Sequence, residues 1–274
     1  MISSLSRVLP SYTDTHAHWG GEDAAKIVAR AVAAGVTRIL AVGGNPDLNA
    51  GAEAAVQAAP NHVRLALGLD RSQTEVSADG VNAFESSLAA VTLCAIGEAG
   101  LDYHHDAATR LAQLALFARM LDLAARRTLP IIIHTREADE DTLAVLDEAG
   151  SAALAAQGRL GVVHCFTGGK AFARQLLDRG LYISFSGIVT FRNAEDLREL
   201  SAYVPADRML IETDSPYLTP VPLRGQPNEP AFVPHVAACV ARQRTIEPAV
   251  LANLTTRNAE TLFGAWLDYS ATQP

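Results

Sequence analysis

Pro130-Ile-Ile-Ile-His134 is a short apolar run that stops on a ligand-type side chain, and Leu160-Gly-Val-Val-His164 repeats the pattern. Runs this short, apolar on both faces and rich in β-branched residues, suit parallel strands covered on both sides. Working outward from this pair, the same reading predicts strands over residues 12–16, 37–42, 63–68, 92–97, 130–134, 160–164, 181–185 and 209–213, each bounded by Gly, Pro or polar residues. Helical patterns lie between them. The clearest covers residues 107–126, where Leu111, Leu114, Ala115, Ala118 and Leu121 recur at helical spacing. Residues 139–148 form a second, and residues 169–179, stopped by Gly180, a third. Eight strands alternating with helices predict an α/β fold, a single-domain (β/α)8 TIM barrel over residues 1–274. A doubly wound open sheet is the alternative, because barrel closure leaves no mark in one sequence.

Composition agrees with one large core. The chain has 274 residues, an ordinary length for such a barrel. Hydrophobic residues make up 49% and charged residues 19%, which excludes global disorder. Cys94, Cys165 and Cys239 are odd in number and form no CxxC pair, so neither a disulfide framework nor a zinc ribbon is expected. The formal net charge of −8 argues against a broad basic face for duplex DNA. Any nucleic-acid contact must rest on local cations, and these are nearly all arginines, since Lys26 and Lys170 are the only lysines. Residues 1–10 carry no apolar run of signal-peptide length, and no stretch approaches the roughly 20 apolar residues of a membrane helix. A cytoplasmic location without a membrane partner is the expectation; the sequence is silent on oligomeric state. The Pro-dense residues 216–234 read as a loop near a site.

The chemistry collects at the ends of the predicted strands. His16 and His18 form an HxH pair, and positions i and i+2 of a strand share a face, so both imidazoles can reach one ion. Glu98 follows the strand ending Ile96-Gly97; His134, His164 and Asp214 end or follow three others. Taken singly, each has an ordinary explanation: a hydrogen-bonded core histidine, or an acidic cap of the next helix. Taken together, four histidines and two carboxylates on five strand ends suit two divalent metal ions at the rim where barrel active sites are built. Histidine-rich ligation favours zinc, manganese, iron or nickel over magnesium. The other histidines read differently: His62 as exposed, His235 as opening the last helical region, His104 and His105 as neighbours of the site. Cys165 reads as a small buried apolar residue pointing away from its neighbour His164. Phosphate-loop, nucleophile-elbow and dinucleotide signatures are absent.

At this point the chain resembles the TatD-related, metal-dependent deoxyribonucleases of the amidohydrolase-like barrel superfamily. The resemblance rests on Asp14-Thr-His-Ala-His18, Ile96-Gly-Glu-Ala-Gly-Leu-Asp-Tyr103, Ile133-His-Thr-Arg-Glu-Ala-Asp139, Val163-His-Cys-Phe-Thr-Gly168, Tyr182-Ile-Ser-Phe-Ser-Gly-Ile-Val189, Ile211-Glu-Thr-Asp-Ser-Pro-Tyr-Leu218, Arg224-Gly-Gln-Pro-Asn-Glu-Pro230 and Arg257-Asn-Ala-Glu-Thr-Leu-Phe263, in order along the chain. It implies that His16, His18 and Asp214 hold a first ion, that Glu98 bridges to a second, and that His134 and His164 complete it. It further implies Tyr103, Arg136 and Arg224 near a bound phosphate, and hydrolysis of phosphodiester bonds in DNA. Asp214 suits the role of general base as well as ligand.

One segment departs from the family pattern. The loop after the third strand usually carries Gly-x-His-Pro-His, and here it reads Leu67-Gly-Leu-Asp-Arg71. The loop after the first strand is short, with Trp19-Gly-Gly-Glu22 following the HxH pair directly. Arg71 either compensates for the missing histidines or forms a solvated surface pair with Asp70. Three functions are therefore in play: a deoxyribonuclease, a metallohydrolase of the same fold acting on a small ester, amide or phosphate, and a non-catalytic metal-binding barrel.

Overall fold

The computed structural model describes residues 11–21, 23–148 and 159–266. The expectation placed on residues 1–10 and the end of the Trp19-Gly-Gly-Glu22 stretch lie outside the described residues. Eight parallel strands follow one another around the sheet in chain order: β1 (Tyr12–Ala17), β2 (Val36–Gly44), β3 (Val63–Leu69), β4 (Ala95–Asp102), β5 (Ile131–Arg136), β6 (Gly161–Val163), β7 (Tyr182–Phe185) and β8 (Met209–Ile211). Beyond the end of β8 the chain turns back onto β1. The Asp214 amide donates to the His16 carbonyl at 2.9 Å, and the His18 amide donates to the Ser215 carbonyl at 2.8 Å. Those bonds, with a parallel bridge between Ala17 and Ser215, close the sheet into a barrel and remove the open-sheet alternative.

The helices pack outside the strands: α1 (Ala24–Ala33), α2 (Pro46–Ala58), α3 (Ala78–Ser87), the short α4 (Tyr103–Asp106), α5 (Arg110–Arg127), α6 (Asp139–Glu148), α7 (Lys170–Asp178), α8 (Glu195–Tyr203), α9 (Val233–Gln243) and α10 (Pro248–Phe263). Helix α5 starts later than its periodicity predicts. The Asp106 carboxylate accepts the amides of Ala108 and Thr109, which holds a separate 3-10 turn ahead of it. Its buried stripe is also rotated: Leu116, Phe117, Met120 and Leu121 face the barrel, while Leu111 is 76% exposed. The face carrying Phe117 and Met120 removes more apolar area from water than the one carrying Leu111 and Ala115. Among the described residues, no helix is long and apolar enough to cross a membrane.

The strands divide their side chains between two cores. Ile39, Ala41, Ile96, Ile131, Ile133, Ile183 and Ile211 join the helices in the outer core. Leu40, Val42, Ala66, Ala95, Ile132, Val162, Tyr182 and Leu210 join a second core with Ala259, Leu262, Phe263 and Trp266 from α10 and the turn after it. The alternation places this second set inside the barrel, with the end of α10 closing its lower mouth. Continuing inward positions up the strands leads from Ile132 to His134, from Val162 to His164, and from Leu210 through Glu212 to Asp214. The fold thus carries the ligand-type side chains to the upper rim on the same register that packs the interior.

Candidate metal centre and its cavity

All six expected ligands converge. The ligand atoms of His16, His18 and Asp214 lie within 4.8 Å of one another, as do those of His16, Glu98 and His164. The His134 Nδ1 is 3.5 Å from Glu98 Oε1 and 3.2 Å from His164 Nε2, which brings the sixth residue to the same carboxylate. Glu98 does not follow its strand, as the sequence suggests, but lies within β4. The β4–β5 register shifts between Ile96 and Ala99, and this irregularity aims Glu98 at the barrel axis. Two glycines allow it. A Cβ on Gly68 would lie 2.5 Å from the Glu98 carbonyl oxygen, and one on Gly100 would lie 1.9 Å from that of His134.

Two of the four histidines have the outer nitrogen committed and a third faces a carboxylate, whereas the buried His16 Nδ1 has no hydrogen-bond partner among the described residues. His18 Nδ1–H donates to the Val42 carbonyl at 2.9 Å, so its Nε2 lone pair points at Glu98 and Asp214. His134 Nε2–H donates to Asp102 Oδ2 at 3.0 Å, which leaves Nδ1 for the centre. His164 Nδ1 faces Glu212 Oε1 at 3.4 Å, and its ring stacks on that of His16 with centroids 3.9 Å apart. This is how protein metal sites fix tautomer and ring orientation. Asp102, Glu212 and Asp14 were not singled out from the sequence. Their signal was present: Glu212 and Asp14 sit two residues before Asp214 and His16, on the same strand face. The Asp14 carboxylate accepts the amide and hydroxyl of Thr213, tying β1 to the chain leaving β8.

The electrostatics call for cations. Glu98, Glu212 and Asp214 are all buried. Burial works against ionisation of Glu98, yet the histidines around it, His164 first, hold its carboxyl well below the usual range. Burial pushes the His164 imidazole down, but Glu98 and Glu212 outweigh it and hold the ring up at about 9. Burial drives His16 down to about 3, so that ring is neutral and free to ligate. Burial also raises Asp214 to about 6, against the pull of His164 and His18. A cluster that keeps a proton on a buried imidazole is short of positive charge. Divalent cations held by this nitrogen and oxygen donor set would supply it, and the residues fit them.

Above the cluster lies a cavity of about 620 Å³, lined by Arg71, His105, His134, Arg136, His164, Cys165, Thr167, Asp214 and Tyr217 among others. Arg136 is exposed at its wall. Tyr103 and Arg224 are not among the lining residues: the Tyr103 hydroxyl donates to Asp141 at 2.6 Å, and the Arg224 guanidinium lies 4.2 Å over the Phe191 ring. Cys165 is not a strand residue pointing away. β6 ends at Val163, and Cys165 has a left-handed backbone with φ of 45°, which turns it into the cavity wall. Burial raises its thiol well above the ordinary range, which disfavours the thiolate. Asp214 has φ of 58°, and such conformations cost about 1–2 kcal/mol unless their surroundings hold them. His62 is half-buried and bonds the Thr37 carbonyl at 2.8 Å, and His235 lies in the first turn of α9. His104 contacts Glu137 at 2.7 Å at the surface.

The family model described as TatD related DNase matches residues 13–264. A Bacillus subtilis protein named uncharacterized metal-dependent hydrolase YabD is 37% identical over 262 residues, which is 91% of this chain and 98% of that one. A Citrobacter rodentium protein named 3′-5′ ssDNA/RNA exonuclease TatD is 37% identical over 251 residues, 90% of this chain and 94% of its own. Among solved structures, the TatD homolog YJJV of Escherichia coli superposes with a TM-score of 0.84 at 28% identity, covering 93% of this chain and 98% of that one. A match that runs through nearly the whole barrel, with relatives aligned end to end, means that the chain belongs to the TatD-related DNase family of metal-dependent hydrolases.

Proposed function

We propose that the chain is a deoxyribonuclease that hydrolyses phosphodiester bonds in DNA, at a strand end or in single strands, with two divalent ions. The observation that carries this reading is the convergence of six ligands, with the His18 and His134 tautomers fixed from behind, beneath a cavity that also holds cationic side chains. His16, His18 and Asp214 would hold one ion, His134 and His164 the other, with Glu98 shared. Zinc or manganese fits the donors better than magnesium, and two such ions supply Lewis acidity toward phosphoryl oxygens and an acidified water.

The remaining work falls to the chain itself. Asp214, raised to about 6 by burial, is ionised at neutral pH and accepts the proton of the attacking water. Arg136 is the expected phosphate partner that lines the cavity, and its guanidinium suits bidentate contact with two oxygens. Tyr103 and Arg224 would contribute only to a substrate longer than the cavity holds. The cavity volume, within the roughly 300–1,000 Å³ of small-molecule sites, fits a nucleotide-sized piece rather than a duplex. The Citrobacter relative's name supports the same class of substrate.

That volume also favours a second reading, a metallohydrolase of the same site acting on a small phosphate or other ester. A substrate screen with added manganese separates them: end-labelled single-stranded DNA, duplex DNA, RNA, nucleotides and small esters. Shortening of single-stranded DNA from one end supports the nuclease. Turnover of a small ester with DNA left intact moves the function to the second reading.

A further inference from the structure

The structure turns Arg71 into the cavity. The Asp70 amide donates to the Gly44 carbonyl at 2.6 Å, and the Asp70 carboxylate accepts the Ser72 amide at 2.7 Å and its hydroxyl at 2.6 Å. The backbone on both sides of Arg71 is thereby fixed. Its side chain, 28% exposed, crosses to the metal-centre carboxylates instead of solvent. Arg71 Nε donates to Asp102 Oδ2 at 3.3 Å, and Nη1 lies 3.5 Å from Glu98 Oε1 and 4.0 Å from Asp70 Oδ2. Among the described residues Nη2 makes no hydrogen bond. Asp102 is itself held, because it also takes His134 Nε2–H at 3.0 Å and contacts His105 Nδ1 at 2.7 Å. The guanidinium is thus anchored through Nε and Nη1, with Nη2 left unpaired, while it lines the same cavity as His134, His164 and Asp214.

We infer that Arg71 is the anion-recognition residue of the cavity, presenting the unpaired Nη2 of its guanidinium to a tetrahedral oxyanion, a phosphate or phosphoryl group, lying over the carboxylate cluster. Three features carry the inference. A guanidinium stays charged and its Nη2 alone carries two donors, and the side chain loses less freedom on binding when already tethered. Its position differs from that of Arg136: it is an inner cation fixed against the centre, where Arg136 is an exposed one at the wall. The third is charge: a tethered cation offsets the carboxylates that an incoming anion would otherwise meet. Where the anion is a DNA phosphodiester, the inference rests on the nuclease reading; the recognition of phosphate itself does not.

The competing role for Arg71 is mechanical, a clamp that merely holds Glu98 and Asp102. Calorimetric titration of the metal-reconstituted full chain with inorganic phosphate distinguishes the two. Wild type, R71K, R71Q and R71A are compared, with metal content measured by elemental analysis and folding by thermal melting. The expected result is weaker phosphate binding by about 10- to 150-fold in R71A and R71Q at unchanged metal content, as for loss of a charge-assisted hydrogen bond. R71K should recover part of it, since an ammonium restores the charge but not the tethered planar geometry. Phosphate affinity in R71Q within twofold of wild type overturns the inference. So does a loss that follows metal content and is restored by excess metal, and so does a wild type that binds no phosphate. Phosphate binding that depends on Arg71 in a protein that leaves DNA intact keeps this inference and removes the nuclease reading alone.

Discussion

The two mouths of the barrel use the same strands in opposite ways. At the lower mouth the inward positions are Leu40, Ala66, Ile132 and Leu210, and Leu262, Phe263 and Trp266 pack beneath them. At the upper mouth the same register presents His134, His164, Glu212 and Asp214, with polar groups buried against one another and with Cys165, Asp214 and Leu218 of the cavity lining in left-handed conformations. The lower end gains free energy by burial, and the upper end holds groups that burial disfavours. The comparison teaches that stability and chemistry are separable here: damage at the bottom should unfold the protein, and damage at the top should silence it.

The sharpest way to break that separation is Asp214→Asn. This substitution should lower kcat by roughly 10²- to 10⁴-fold, the range for a lost general base, with little change in melting temperature. Steady-state kinetics beside a thermal melt checks it, and near-normal turnover removes Asp214 as the base. The mirror experiment is Phe263→Ala. Truncating this fully buried ring should cost about 3–5 kcal/mol of stability, measured by urea unfolding, while the folded fraction keeps its kcat.

Smaller effects sharpen the boundary between the regions. Glu212→Gln keeps an acceptor for the Cys165 amide but removes the charge facing His164, and Asp102→Asn weakens the hold on His134. Each should weaken metal binding by about 10- to 100-fold without displacing a ligand. Competition against a chromogenic chelator reads this, and unchanged affinity in both variants would show that the outer carboxylates do not tune the centre. The smallest effect is on pH. Asp214 is raised to about 6, so as pH falls through that value its carboxylate takes up a proton and the base is lost. Bound cations can only move this midpoint lower. The acid limb of kcat should therefore fall at or below pH 6, by roughly tenfold per unit. A limb centred above pH 7 that survives in Asp214→Asn belongs to another group.

Much of this was legible in the sequence because strand register is a period-two code. Apolar runs ending in His134, His164 and Asp214 fix both the strand and the face that carries the ligand, and His16 and His18 fix theirs by their own spacing. What was not legible depends on contacts between distant segments. Gly97-Glu-Ala-Gly100 reads as the end of a strand, yet β4 continues to Asp102 because β5 pairs with it beyond the irregular register. The α5 stripe offered two apolar faces, and only the barrel chose between them. Arg71 reads from the sequence either as compensation for the missing histidines or as half of a surface pair with Asp70, and its inward course depends on Glu98 and Asp102 from the next strand. Tyr103 sits directly after Asp102, yet its hydroxyl is taken by Asp141 from α6, which no local pattern announces.

The most direct test of the central claim is the metal stoichiometry of the full chain. The protein is stripped with chelator, reconstituted separately with zinc and manganese, freed of excess ion and read by elemental analysis against a Glu98→Gln control. The wild-type chain should hold about two ions, with both weakened in the control because a neutral amide bridges poorly. A wild-type stoichiometry near zero would contradict the metal centre itself, and saturation at one ion would contradict the shared role of Glu98.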